Sequence, residues 1–267
     1  MSTVEYVEGI DRLWLVEAFR QNPVSHAYAM WDLEQTPDKV RFVTCRRGSE
    51  TLSYLLIWNG SPAGPVVHWV GANEEAGPLV ERFPPRPLMA VVPTEFAPPV
   101  LARHSPALSE PLLTLYRPWS AEAPTHAAPL TRPLHRFDHE ALESFIRRFP
   151  EPLAHSYASF DPGAERAWGA FSPETGVLEG VAKTSARLPT LWFITGVFVA
   201  PDARGRGIAT ALTAGLVRDA LQVHAASALY VREPNLPARR AYEKVGFEFF
   251  ERRILVDAGV GQLASPP

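Results

Sequence analysis

The chain repeats itself. Residues 22–29 read Asn-Pro-Val-Ser-His-Ala-Tyr-Ala, and residues 151–158 read Glu-Pro-Leu-Ala-His-Ser-Tyr-Ala, 129 positions later. At the same spacing Leu13 falls on Leu142, inside the amphipathic stretches 9–21 and 138–149, and Val70 falls on Val199, each closing an apolar run. Strand-like segments follow in matching order, 41–46 and 51–58 in the first copy, 167–172 and 176–183 in the second. Repetition on this scale means one module built twice, which fixes the order of elements in both halves. The 267 residues give each copy the size of an ordinary domain. The Pro- and Ala-rich stretch 119–129 reads as a linker between a domain of residues 1–118 and one of residues 130–267.

The second copy carries a feature with chemical content. Its apolar strand ends at Pro201, a turn of Arg204, Gly205, Arg206 and Gly207 follows, and an amphipathic helix begins near Ile208. The amides of a helix N-terminus are unpaired and the helix dipole adds positive charge there. Glycines allow close backbone approach, and arginines present forked donors to phosphate. The turn is therefore suited to a pyrophosphate. No Gly-Lys-Ser or Gly-Lys-Thr follows, and Thr210 stands where a dinucleotide fingerprint needs its third glycine. In the first copy the same positions hold Glu75, Ala76, Gly77 and Pro78, next to Glu74. Two carboxylates repel a pyrophosphate and Pro78 has no N–H, so this half is expected to have lost the ligand.

The spacing Arg204-x-x-Gly207-x-Ala209 is followed downstream by Asn235, Ala238, Tyr242, Gly246 and Phe247 in the pattern Asn-x-x-Ala-x-x-x-Tyr-x-x-x-Gly-Phe. With both blocks in order, the chain resembles the GNAT superfamily of acetyl-CoA-dependent N-acyltransferases. The resemblance implies an α/β (α+β) class and a tandem GNAT fold, two mixed and mostly antiparallel sheets flanked by helices, with a degenerate N-terminal half. Mycothiol synthases share that architecture. It further implies transfer of acetyl from acetyl-CoA (CoA) to a primary amine by direct attack in a ternary complex. Val197, Phe198 and Val199 then pair with pantetheine. Arg204, Gly205, Arg206, Gly207, Ile208 and Ala209 cradle the pyrophosphate, and Asn235 and Ala238 complete the cofactor contacts. The backbone N–H of Phe198 or Val197 meets the tetrahedral oxyanion. Tyr242, with an ordinary pKa near 10, is the expected proton donor to the leaving thiolate.

The resemblance also brings an expectation of a glutamate on the strand before the turn, and this strand, 191–199, has none. Candidate bases elsewhere are Glu179, His155 and Asp161. The first copy keeps His155's counterpart as His26, with Tyr28, although it lacks the turn, which favours a structural role for that pair. The acceptor is open between small amines, amino acids and protein N-termini. A formal charge of −3 argues against nucleic acid as partner. The lone Cys45 forms no internal disulfide, and no Cys/His cluster suggests a metal. With no leader and no membrane-length apolar run, a cytoplasmic address is the expectation, and the tandem copies read as an internal pseudo-dimer, monomeric or weakly dimeric. Two other readings compete: an idle acetyl-CoA-binding regulator, and an N-acyltransferase for longer chains.

Overall fold

The computed structural model describes residues 3–85, 88–106, 108–128, 130–157, 160 and 165–259. The chain divides into two compact units, one of Met1–Leu113 with Glu251–Pro267, the other of Thr114–Phe250. In chain order the first copy runs β1 (Val4–Glu8), α1 (Arg12–Gln21), α2 (Pro23–Gln35), β2 (Val40–Arg47), β3 (Glu50–Trp58), β4 (Val66–Val70), β5 (Leu88–Pro93), α3 (Ala97–His104) and β6 (Leu108–Arg117). The second runs β7 (Thr131–Pro133), α4 (His139–Arg148), α5 (Pro150–Tyr157), β8 (Ala167–Phe171), β9 (Leu178–Arg187), β10 (Leu191–Val199), α6 (Ile208–Gln222), β11 (Ala226–Arg232), α7 (Leu236–Val245) and β12 (Glu248–Ala258). The same order appears twice, as the repeat requires. One element differs: between β4 and β5 stands a short 3₁₀ segment, Glu74–Arg82 with Pro78 inside it, where the second copy has the 15-residue α6.

The repeated Asn-Pro sequence proves to be a helix start. Asn22 accepts a hydrogen bond from the Ser25 amide at 3.2 Å, and Pro23, which has no N–H to lose, occupies the first turn of α2. Asp11 caps α1 in the same way, accepting from Leu13 and Trp14. The sheet of the first unit has the order β1-β2-β3-β4-β5-β12. Neighbours are antiparallel except β4 and β5, which run parallel and pair only over Val66–His68 with Met89–Val91. Trp69, fully buried, stacks on Phe96 at 4.3 Å between ring centroids and packs among Leu55, Val67, Leu79 and Val92.

The second unit has the order β6-β11-β10-β9-β8-β7, with β10 and β11 parallel. α6 lies across β8, β9 and β10. Trp168 sits so close to it that a Cβ on Gly215 would come within 2.5 Å of the indole. Asp219 pins that ring through a 2.8 Å hydrogen bond from its indole N–H.

Compared with the expected domains 1–118 and 130–267, the compact units exchange their last strands. The strand order supplies the reason. Residues Arg253–Ala258 of β12 pair antiparallel with Pro93–Leu88 of β5, and β6 stands beside β11. Each unit's sheet thus takes in the last strand of the other half of the sequence. The Pro/Ala-rich stretch belongs to the second unit and is tied down there. Arg117 donates to the Glu122 carbonyl, and Arg218 to the carbonyls of Pro124 at 3.0 Å and His126 at 3.1 Å.

Two histidines of the first unit are held neutral. Burial, with repulsion from Arg253 second, lowers His26 to about 4 and His68 to about 3. Unfolded histidine protonates near 6.5. The unfolded state therefore binds protons that the folded unit refuses as pH falls from about 6.5, and stability drops through that window. Asp32 acts oppositely, because burial raises it to about 7, so folding takes up a proton there between about 4 and 7. Urea midpoints measured from pH 7 to 4 should fall less steeply in His26→Gln than in the parent, and more steeply in Asp32→Asn.

Candidate active site

The strand β10 is built to leave its neighbour. Its parallel ladder with β11 stops at Ile194–Leu229, although both strands continue, to Val199 and Arg232. On its other side the antiparallel register with β9 pairs Thr195 with Lys183 and then Phe198 with Val181. Gly196 and Val197 thus face the single residue Ala182, a β-bulge. Gly196 takes φ +60°, which a glycine adopts without cost. The Tyr157 hydroxyl donates to the Gly196 carbonyl at 3.1 Å, and a Cβ on that glycine would lie 2.9 Å from the Tyr157 ring. Beyond the bulge the Phe198 ring packs against Phe145 of α4 at 5.9 Å and against Phe149, the residue that closes α4, at 5.2 Å.

The turn after β10 delivers α6 with an uncapped N-terminus. Gly205 and Gly207 take φ +79° and +76°, and Gly207 is the N-cap, so no side chain accepts from the first-turn amides. No atom lies within 4 Å of where a Cβ would stand at either glycine, so the space before them is open. Arg204 donates to the Val199 carbonyl at 3.2 Å and its guanidinium lies over the Phe198 ring. Arg206 behaves differently: it bridges to Glu179 at 3.1 Å and does not line the cavity described next.

Between the turn and α7 lies a cavity of about 540 Å³. Val197, Phe198 and Val199 form one wall, and Arg204, Gly205, Gly207, Ile208 and Ala209 another. Asn235, Ala238 and Tyr242 stand on the α7 side. All the residues expected at the site except Arg206 therefore converge. The residues missed by the sequence reading are Arg240 and Lys244. They share a helix face at i and i+4, a spacing visible in the sequence once α7 is placed. The cavity's lining includes three cations, Arg204, Arg240 and Lys244, and no carboxylate. It matches a multiply charged anion with an apolar arm.

Asn235 serves first as a helix cap. Its side-chain oxygen accepts from the Ala238 amide at 3.2 Å, and Gly246 at φ +91° closes α7 at the other end. Tyr242 is 6% exposed, and burial pushes its hydroxyl up to about 12 rather than the ordinary 10. A phenol so weakly acidic keeps its proton next to a thiolate of ordinary pKa near 8.5, and acts as a hydrogen-bond donor. Of the candidate bases, Glu179 is held by Arg206. Asp161 and the side chain of His155 lie outside the described residues. Lys183 forms a buried ion pair with Glu165 under Tyr157, and burial lowers its pKa. Among the described residues no group of His, Cys, Asp and Glu is arranged to hold a metal, and no helix is long and apolar enough to cross a membrane.

Comparison with known proteins gives a consistent result. Residues 134–247 match the model of the acetyltransferase (GNAT) family. No curated protein matches the chain. Among solved structures, a Drosophila protein superposes with TM-score 0.65 at 12% identity, covering 97% of this chain and 100% of that one. A GCN5-related N-acetyltransferase from Sphaerobacter thermophilus gives 0.60 at 14% identity, covering 96% of each chain. A tandem GNAT protein from the clavulanic acid biosynthesis pathway gives 0.52 at 14% identity, covering 99% and 100%. At these identities the structures establish the fold.

The cap at Asn235 yields a direct test. Asn235→Ala removes the acceptor for the Ala238 amide and should cost about 1 kcal/mol of stability. Denaturant unfolding should register that loss, with Asn235→Asp close to the parent.

Proposed function

We propose, from the match of residues 134–247 to the acetyltransferase (GNAT) family model, that the second unit transfers an acetyl group from acetyl-CoA to a primary amine. The observation that supports this most is the cavity between β10 and α7, where an uncapped helix start and three cations adjoin the unpaired edge of a bulged strand. The pyrophosphate rests on the amides of Gly207, Ile208 and Ala209, with Arg204 against it. Arg240 and Lys244 serve the remaining phosphate charge. The free edge of Val197–Val199 hydrogen-bonds the pantetheine arm.

The acyl carbonyl is held beside the bulge, where the amide of Val197 or Phe198 points to the developing oxyanion. The incoming amine attacks in its neutral form. With no carboxylate lining the cavity, its proton leaves to water. Tyr242 stabilises the departing thiolate by hydrogen bonding, which suits a hydroxyl that stays protonated at all working pH values. The first unit, with Glu74, Glu75 and Pro78 in place of the turn, takes no part in phosphate binding.

Arg204→Ala removes a charge-assisted phosphate contact of about 1.5–3 kcal/mol and should weaken acetyl-CoA binding roughly ten- to hundredfold in calorimetry. Gly207→Glu should abolish binding while the chain stays folded. Tyr242→Phe keeps the ring and should leave CoA affinity unchanged while lowering turnover about ten- to hundredfold, the worth of one hydrogen bond to a charged atom. Unchanged affinity in both turn variants would place the phosphates elsewhere. Turnover within about twofold of the parent in Tyr242→Phe would reduce that residue to packing.

A further inference from the structure

The first unit contains a cavity of its own, about 330 Å³, for which the proposed transfer has no use. It opens past the paired ends of β4 and β5, as the other cavity opens past β10 and β11. Gly71 bounds it at φ +91°, where a Cβ would come within 2.7 Å of the Leu52 carbonyl. Size puts it at the lower end of small-molecule sites, about 300–1,000 Å³. A phosphate finds neither the glycine turn nor the helix N-terminus of the other unit, because the stretch after β4 is the 3₁₀ segment Glu74–Arg82 with Pro78 inside it.

The wall is aromatic and contains the histidine of the sequence repeat. Trp14 meets His26 edge-on at 5.8 Å, and Tyr54 stacks on the same imidazole at 5.8 Å. His26 uses Nδ1 on the Tyr54 hydroxyl at 2.8 Å, which leaves Nε2 as its second polar atom. Burial keeps this ring neutral at physiological pH. Asn22 and Ser25 add polar side chains from the start of α2. The charges are of both signs. Arg253, almost fully buried, is clamped by both oxygens of Glu251 at 2.8 and 3.1 Å and donates to the Trp69 carbonyl at 2.7 Å. Arg252 and Glu95 stand on the exposed side.

An aromatic wall suits an apolar or aromatic side chain. The exposed Arg252 and Glu95, beside the mutually paired Arg253 and Glu251, give the cavity rim both signs of charge, which suits a molecule that carries both an ammonium and a carboxylate and matches neither a simple amine nor a simple acid. We propose that the first unit binds a free amino acid in the cavity walled by Trp14, His26 and Tyr54. This makes the half without the phosphate turn a ligand-binding unit in its own right.

The test is calorimetric titration of the full chain with each of the twenty L-amino acids, followed by the methyl ester and N-acetyl form of any that binds. At least one amino acid should bind below about 1 mM. Its ester and its N-acetyl form should each bind at least tenfold more weakly. Trp14→Ala and the milder His26→Gln should each weaken binding at least tenfold while acetyl-CoA affinity stays at the parent value. Arg204→Ala should leave amino-acid affinity unchanged, so the outcome does not depend on the reading of the other unit. The proposal is overturned if no amino acid binds at 10 mM. It is equally overturned if ester or N-acetyl form binds as well as the parent compound, or if binding survives both Trp14→Ala and His26→Gln.

Discussion

The candidate site depends on one backbone event, the bulge at Gly196–Val197. A parallel pair of strands would otherwise continue its ladder and leave no free amides between them. Here the extra residue turns β10 away after Ile194, and the bulge is fixed from the side by Tyr157, whose hydroxyl holds the Gly196 carbonyl. The fit is close enough that any residue larger than glycine at 196 meets the Tyr157 ring. Tyr157 is itself fully packed, above the buried Lys183–Glu165 ion pair. A closely packed support of this kind is what a site needs if its amides are to be aimed before a substrate arrives.

Electrostatics divides the two copies of the module. In the second, an uncapped helix and three cations face one cavity. In the first, the same stretch of chain is a 3₁₀ segment that begins with two glutamates and contains a proline. The helix that concentrates positive potential is absent there. The divergence of the two parallel strands is nevertheless kept, and so is the repeated histidine-tyrosine pair. Tyr28 stacks on His68 of β4 at 4.6 Å, and Tyr157 bonds the corresponding stretch of β10. The first unit keeps the strand framework and carries a 3₁₀ segment with Pro78 where the second carries α6.

Much of this was legible in the sequence because it is local. The strand–turn–helix around Arg204–Ala209 and the short helix that ends at Gly246 are short-range patterns set by backbone geometry, and they stand where the residues put them. The capping role of Asn235 is not among them, since its motif reads as a cofactor contact. The repeat gave the order of elements for the same reason. What escaped was non-local. The assignment of β12 to the first unit rests on its pairing with β5, more than 150 residues away in sequence, and no local composition marks it. Tyr157 lies in the repeated segment, but its bond to Gly196 becomes visible only when α5 is laid on β10. Arg206 resembled a phosphate ligand by its spacing, yet Glu179 on β9 draws it away. The weak acidity of Tyr242 follows from burial, which a sequence does not state.

The central claim is that the tandem module carries one acetyl-CoA site, in the second unit. Calorimetric titration of the full chain with acetyl-CoA measures this directly. The account predicts a single site per chain, lost in Gly207→Glu. Two equivalent sites per chain, or one that persists in Gly207→Glu, would contradict it.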